Sequence, residues 1–246
     1  MQKNILIGLV LASLMLPGIG SAQSPVALFN GKDLTGWVQR GGKAKYHVEG
    51  NEIVGTSVMN TPNSFLCTEK TYGDFIFEYE FKVDPRLNSG VQFRSECFEK
   101  VTPVKSEDKT INVPAGRVHG YQAEIDPDPK KDRWWTAGVF DEGRRGWLYP
   151  GKNGGNAAEF TAQGRKIFKQ GDWNHIRIEA VGDSIKTYLN GTPCAAIKDA
   201  LTLRGFIALQ VHTIGAKKDV EGSQVRWRNL QITEVASSTA PATSRQ

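Results

Sequence analysis

Cysteine is scarce in this chain of 246 residues: Cys67, Cys97 and Cys194 are its full complement. No CxxC occurs and no Cys/His spacing fits a zinc ligand set, which argues against a zinc site built from cysteines. An odd count leaves at least one thiol unpaired within the chain; inert buried thiols are the plain reading, though Cys67 and Cys97 are free to pair. A dominant charge sign is also missing. The 31 Lys+Arg stand against 26 Asp+Glu with the signs mixed, so no nucleic-acid footprint stands out. Glycine and proline follow no period, which excludes collagen-like architecture, and 39% hydrophobic content with a net charge of +5 excludes an unfolded chain. Helical periodicity is nearly absent. The apolar stretch from Ile5 to Leu16 is too short for a comfortable membrane span, so no stable membrane insertion is expected.

That stretch has another reading. Lys3 precedes it, Pro17-Gly18 breaks it, and Gly20-x-Ala22 supplies the small residues of a cleavage site. Residues 1–22 are therefore expected to be a signal peptide, with cleavage near Ala22 and a secreted or periplasmic product. One domain is expected over residues 23–236. The Ser/Thr/Ala/Pro-rich tail, 237–246, is expected to be disordered.

What the chain has in quantity is short β-rich runs closed by turn residues, among them Phe75 to Val83, Gly90 to Phe93, His119 to Ile125, His175 to Val181, Ser184 to Leu189, Phe206 to Val211 and Val225 to Ile232. Leu189-Asn190-Gly191-Thr192 reads as a tight hairpin, because Asn-Gly accepts the left-handed backbone such turns need. The segment Asn156 to Gln170 reads as one short helix, weakened by Gly164. Many antiparallel strands with a single helix predict an all-β sandwich of two packed sheets, with Phe75, Phe77, Tyr79 and Phe81 along one inner face.

Side chains alternate across a strand. In Gly120 to Asp126, Tyr121, Ala123 and Ile125 should face the core, leaving Gln122, Glu124 and Asp126 in a row on the other side. The same alternation predicts Gln92, Arg94 and Glu96 on one face of a second strand, and Gln210 with His212 on a third. A merely solvated face is the plain alternative, but such faces favour Lys, Glu and Thr. Glutamines, which both donate and accept, suit sugar hydroxyls. Trp134, Trp135, Trp147 and Tyr149 lie in or beside a long loop, 127–146, and have flat faces on which sugar rings can stack. Residues 97–118 form a second long insertion. Asp126, Asp128 and Asp132 cluster in sequence and would suit a calcium ion; the Pro-Asp-Pro turn explains the cluster equally well, and no metal ligand set is assigned.

In order along the chain, Leu28 to Trp37, Asn88 to Arg94, Gly120 to Asp126, Asp141 to Leu148, Gly171 to Asn174, Leu189 to Gly191, Leu209 to His212 and Trp227 to Ile232 resemble the family of 3-keto-disaccharide hydrolases. The resemblance implies a concanavalin-like jelly-roll β-sandwich with its ligand site on the concave sheet. It also implies action on glycosides already oxidised at C3, and hence dependence on a separate sugar 3-oxidoreductase. A C3 ketone acidifies the C2 proton, so a base can remove it and the C1 leaving group can depart. On that reading Glu124 or His212 is the base, Arg94 stabilises the enolate, and Asp126 or Glu124 is the acid. Gln92, Gln122, Gln210 and Trp135 would hold the sugar, with Tyr149, and Arg145 and Trp147 would close the site from the loop. Two rivals remain: a non-catalytic carbohydrate-binding module, and a conventional two-carboxylate glucanase, which Gln122 in place of a first carboxylate disfavours.

Overall fold

The computed structural model of the protein describes residues 24–107 and 109–236. The expected leader and tail fall outside the described residues, as does residue 108. Two antiparallel sheets face each other. The seven-stranded sheet runs, edge to edge, Gly146–Tyr149, Val139–Glu142, Val118–Ile125, Ser89–Cys97, Phe206–Val211, Ser64–Thr68 and Trp37–Gly41. In the other sheet the order is Thr192–Lys198, Ser184–Leu189, Asn174–Val181, Phe75–Val83, Gln224–Glu234, Glu52–Thr56 and Lys45–Glu49, with the short Val26–Ala27 strand beside Gln224–Glu234. The fold is a two-sheet sandwich, as the alternation implies, and a concanavalin-like jelly roll, as the resemblance implies.

The Phe75–Val83 strand alternates strictly between buried and half-buried positions, with Phe75, Phe77, Tyr79 and Phe81 all at 0% exposure. Across the core they meet the inner side of the seven-stranded sheet, including Val91, Phe93, Tyr121, Ala123, Ile125 and Leu209. Burying each such large side chain stabilises the fold by roughly 1.5–3 kcal/mol, so this shared slab fixes the register of both sheets. Asn190 and Gly191 adopt positive φ in the expected hairpin, at 50° and 81°.

The one α-helix among the described residues spans Ala157–Ile167, and the Asn156 side chain caps it by accepting from Ala158 N and Glu159 N. Gly164 is a packing requirement rather than a weakness. A Cβ there would lie 2.0 Å from the Trp134 carbonyl oxygen, so glycine lets the 127–146 loop dock on the helix. The 97–118 insertion carries its own hairpin, Thr102–Lys105 with Thr110–Val113. Its base joins a small second apolar cluster of Phe65, Cys67, Val118, Phe206 and Ala208, bordered by Val38 and Cys97.

Candidate active site

The strand pairing aligns the outward side chains of the seven-stranded sheet into rows. Gln210 pairs with Phe65 on one side and Gly90 on the other, and Gly90 pairs with Glu124. Ala208, Gln92, Gln122, Phe140 and Trp147 form the adjacent row. Two residues along the three central strands in the other direction come His212, Asn88 and Asp126. The Gln122–Glu124–Asp126 row therefore stands as expected, with Tyr121, Ala123 and Ile125 at 0% exposure on the opposite face.

Glu124 is 5% exposed. Asn88 Nδ2 donates to its Oε1 at 2.7 Å and Gln122 Nε2 to its Oε2 at 2.8 Å. Gln122 can lie this way because position 90 is glycine: a Cβ on Gly90 would sit 2.5 Å from the Gln122 amide carbon. Burial pushes the Glu124 carboxyl up to about 7, and the Asp126 charge adds to that, while the two amide donors and Arg133 pull the other way. Beside it, Gln92 and Gln210 are both at 0% exposure. Gln92 Oε1 and both polar side-chain atoms of Gln210 have no hydrogen-bond partner among the described residues. Burying amide groups unpartnered is unfavourable, so this part of the sheet carries a local polar cost.

His212 Nδ1 lies 2.7 Å from the Thr213 carbonyl oxygen. A carbonyl can only accept, so Nδ1 carries the proton and Nε2 keeps its lone pair. Burial lowers the His212 pKa, and Asp126 and Lys131 lie within electrostatic reach of the ring. The 127–146 loop folds back onto Asp126. Arg133 Nε donates to Asp126 Oδ2 at 2.6 Å, and the same guanidinium lies 5.1 Å from the ring centres of both Trp135 and Trp147. Those two indoles meet edge to face at 4.7 Å. Asn88, Lys131 and Arg133 complete the cluster, and nothing in their residue types singled them out in the sequence.

The family model for the 3-keto-alpha-glucoside-1,2-lyase-like domain matches residues 24–233. The chain belongs to that family. No curated protein matches the chain. A galectin-like-fold protein of unknown function from Bacillus subtilis superposes with a TM-score of 0.57 at 10% identity, covering 89% of this chain and 98% of its own. A candidate glycosyl hydrolase from Parabacteroides distasonis gives 0.51 at 18% identity, covering 86% and 94%. At such identities the likeness is one of fold.

This lyase-like domain departs from the expected site at several residues. Arg94 does not face Glu124. A β-bulge breaks the alternation: Ala208 pairs with Gln92 but Phe206 with Ser95, and Arg94 sits between them at φ 46°. Its side chain, at 0% exposure, turns away to Asp74 at 2.9 Å and to the carbonyls of Gly73 and Gly182. The bulge also carries Glu96 off the row, to pair with His119. Arg145 is likewise committed elsewhere, donating to Asp141 Oδ2 at 2.5 Å and to Asp199 Oδ2 at 2.8 Å. Tyr149 packs on the helix, edge to face with Phe160 at 5.9 Å, because a register shift beside Val139 separates it from Trp147. Asp126 is held by Arg133 at 2.6 Å. The acidic trio does not converge either: Asp128 accepts from Lys130 N, and Asp132 pairs with Arg165 at 2.7 Å. Among the described residues no group of three or more metal-ligating side chains could hold an ion. No helix among them is long and apolar enough to cross a membrane.

Proposed function

We propose that this domain cleaves the C1–O bond of 3-keto-glycosides by elimination. The observation that carries the reading is Glu124, a buried carboxyl raised to about 7 beside unpartnered glutamine amides, with a neutral His212 two strands away. Environments that push two titratable groups in opposite directions divide acid from base. His212 Nε2, unprotonated, takes the C2 proton. The electron pair left on C2 is delocalised onto the C3 oxygen. The pair then forms the C1–C2 double bond as the C1–O bond breaks. Glu124, entering protonated, gives its proton to the departing oxygen. Water added back at C1 would convert the product to that of net hydrolysis.

This assignment predicts separate behaviour for the two variants. Glu124→Gln should lower turnover of a 3-keto-disaccharide by roughly 10²–10⁴-fold yet still exchange the C2 proton with deuterated solvent. His212→Ala should lose both cleavage and exchange. A nitrophenyl leaving group, which needs little protonation, should restore much of the Glu124→Gln rate and none of the His212→Ala rate. Exchange that stops in Glu124→Gln and persists in His212→Ala would reverse the roles. Mass spectrometry of 3-keto-disaccharides and their unoxidised parents tests the reaction itself, and equal cleavage of the parents would sink it. A binding module would use the same amides but has no need of a carboxyl tuned to neutrality, and it would keep its sugar affinity in Glu124→Gln.

A further inference from the structure

Resting on that reading, we infer that the domain takes glycosides with a flat apolar aglycone, held in a cavity between the 97–118 insertion and the Ser64–Thr68 strand. The cavity measures about 510 Å³, within the usual range for small-molecule sites. Phe65 and Val118 close its floor, at 2% and 1% exposure, and Pro62, Pro114 and Ala115 stand exposed at its lips. Thr213 completes a wall.

Three observations fix the occupant. First, the cavity adjoins the candidate active site through two of its lining residues. Phe65 stands in the row Phe65–Gln210–Gly90–Glu124, and Thr213 directly follows His212. Three strand spacings put Phe65 on the order of 14 Å from Glu124 along that row, the reach of a sugar plus one further ring. Second, several of its nearby polar atoms are already engaged. Asn63 Oδ1 accepts from Thr213 N at 2.8 Å, the Thr213 hydroxyl donates to the Thr61 carbonyl at 2.7 Å, and Arg117 at the rim is paired with Glu142 at 2.8 Å. A second sugar, rich in hydroxyls, would find few partners there, whereas an aromatic or similarly flat apolar group would meet proline, phenylalanine and valine. Third, the apolar character continues along the sheet into the Phe65, Cys67, Phe206 and Ala208 cluster, unlike the glutamine-lined part of the same face.

The test uses unoxidised phenyl and methyl glucosides, both anomers, which lack the ketone needed for elimination and so report binding alone. Calorimetry on the intact protein should show the phenyl glucoside binding on the order of tenfold more tightly than the methyl one. Ala115→Trp, on an exposed loop, should fill the cavity and remove that advantage while leaving methyl glucoside affinity unchanged. Pro62→Trp does the same from the opposite lip if the first variant folds poorly. Equal affinity for the two glucosides, no measurable binding of either, or a phenyl advantage that survives both variants would overturn the inference. Turnover of methyl 3-keto-glucoside is read separately. Its absence alongside an intact phenyl preference would retire the elimination reading and leave the aglycone cavity standing.

Discussion

The inner side and the outer face of one sheet each bury a charged cluster, and the two are built to opposite ends. Around Asp141 every charge is matched: Arg144 Nε donates to Oδ1 at 2.7 Å, Arg145 Nε to Oδ2 at 2.5 Å, and Arg145 goes on to Asp199, which also accepts from the Tyr121 hydroxyl. This network ties the Val139–Glu142 and Gly146–Tyr149 hairpin to the far end of the other sheet. The Glu124 row is left incomplete, with a carboxyl near neutrality and amides lacking partners. Ion pairing closes the Asp141 cluster, although Arg144 Nη2 lacks a hydrogen bond there, whereas three amide atoms stand unpartnered beside a carboxyl raised toward neutrality in the Glu124 row.

The largest contrast should come from single substitutions in each cluster. Glu124→Gln should remove about 10²–10⁴-fold of turnover while the protein stays folded. Asp141→Ala leaves two buried guanidinium groups short of a partner and should lower unfolding free energy by about 3–5 kcal/mol in urea melts, with turnover per folded molecule little changed. Should Asp141→Ala instead abolish turnover in a stably folded protein, the division between scaffold and site would fail.

A pH series sharpens the same contrast. The folded-state pKa of Glu124 is raised from 4.5 to about 7, so the stability that its neutral form contributes is fully present below about pH 4.5 and lost as pH rises through 7. Relative to Glu124→Gln, the wild type should lose up to roughly 3 kcal/mol across that window, measured as the difference between denaturation curves near pH 4.5 and pH 8. A flat difference would mean that Glu124 ionises like an exposed carboxylate.

The smallest effect concerns how the loop is seated. Gly164→Ala places a methyl against the Trp134 carbonyl, and the strain should cost about 1–3 kcal/mol of stability. It should also loosen Arg133 over Asp126 and thereby weaken sugar binding, measured by calorimetry. Loss of stability with binding intact would show that the loop's docking and the site are independent.

How far the sequence could be read follows from where alternation holds. Tyr121, Ala123 and Ile125 inside with Gln122, Glu124 and Asp126 outside needed only an unbroken strand, and Val118–Ile125 is one through that stretch. The Ser89–Cys97 strand is interrupted after Phe93, and from there parity assigns each side chain to the wrong face. A signal was present in the neighbours. A Cβ on Gly120 would lie 2.3 Å from Ser95 Oγ, and one on Gly205 would lie 2.3 Å from the Ser95 carbonyl oxygen. Glycine flanking both sides of one residue marks a strand pushed out of plane, but only once the pairing is known. Arg133 was illegible for a different reason. It reaches Asp126 because the loop doubles back, and nothing local to Lys131, Asp132 and Arg133 specifies that return.

The unpartnered glutamines also bear on how the protein responds to heat. Gln92 and Gln210 sit in the folded state with hydrogen-bonding capacity unused within the protein, and in the unfolded chain water would satisfy them. That cost lowers the native state's margin, and a sugar bound at the Glu124 site favours the native state alone. At a ligand concentration about 100 times its dissociation constant the gain is roughly 2.7 kcal/mol. The melting temperature thus becomes a reporter of occupancy, able to rank candidate glycosides by the heat the domain withstands without any of them being cleaved.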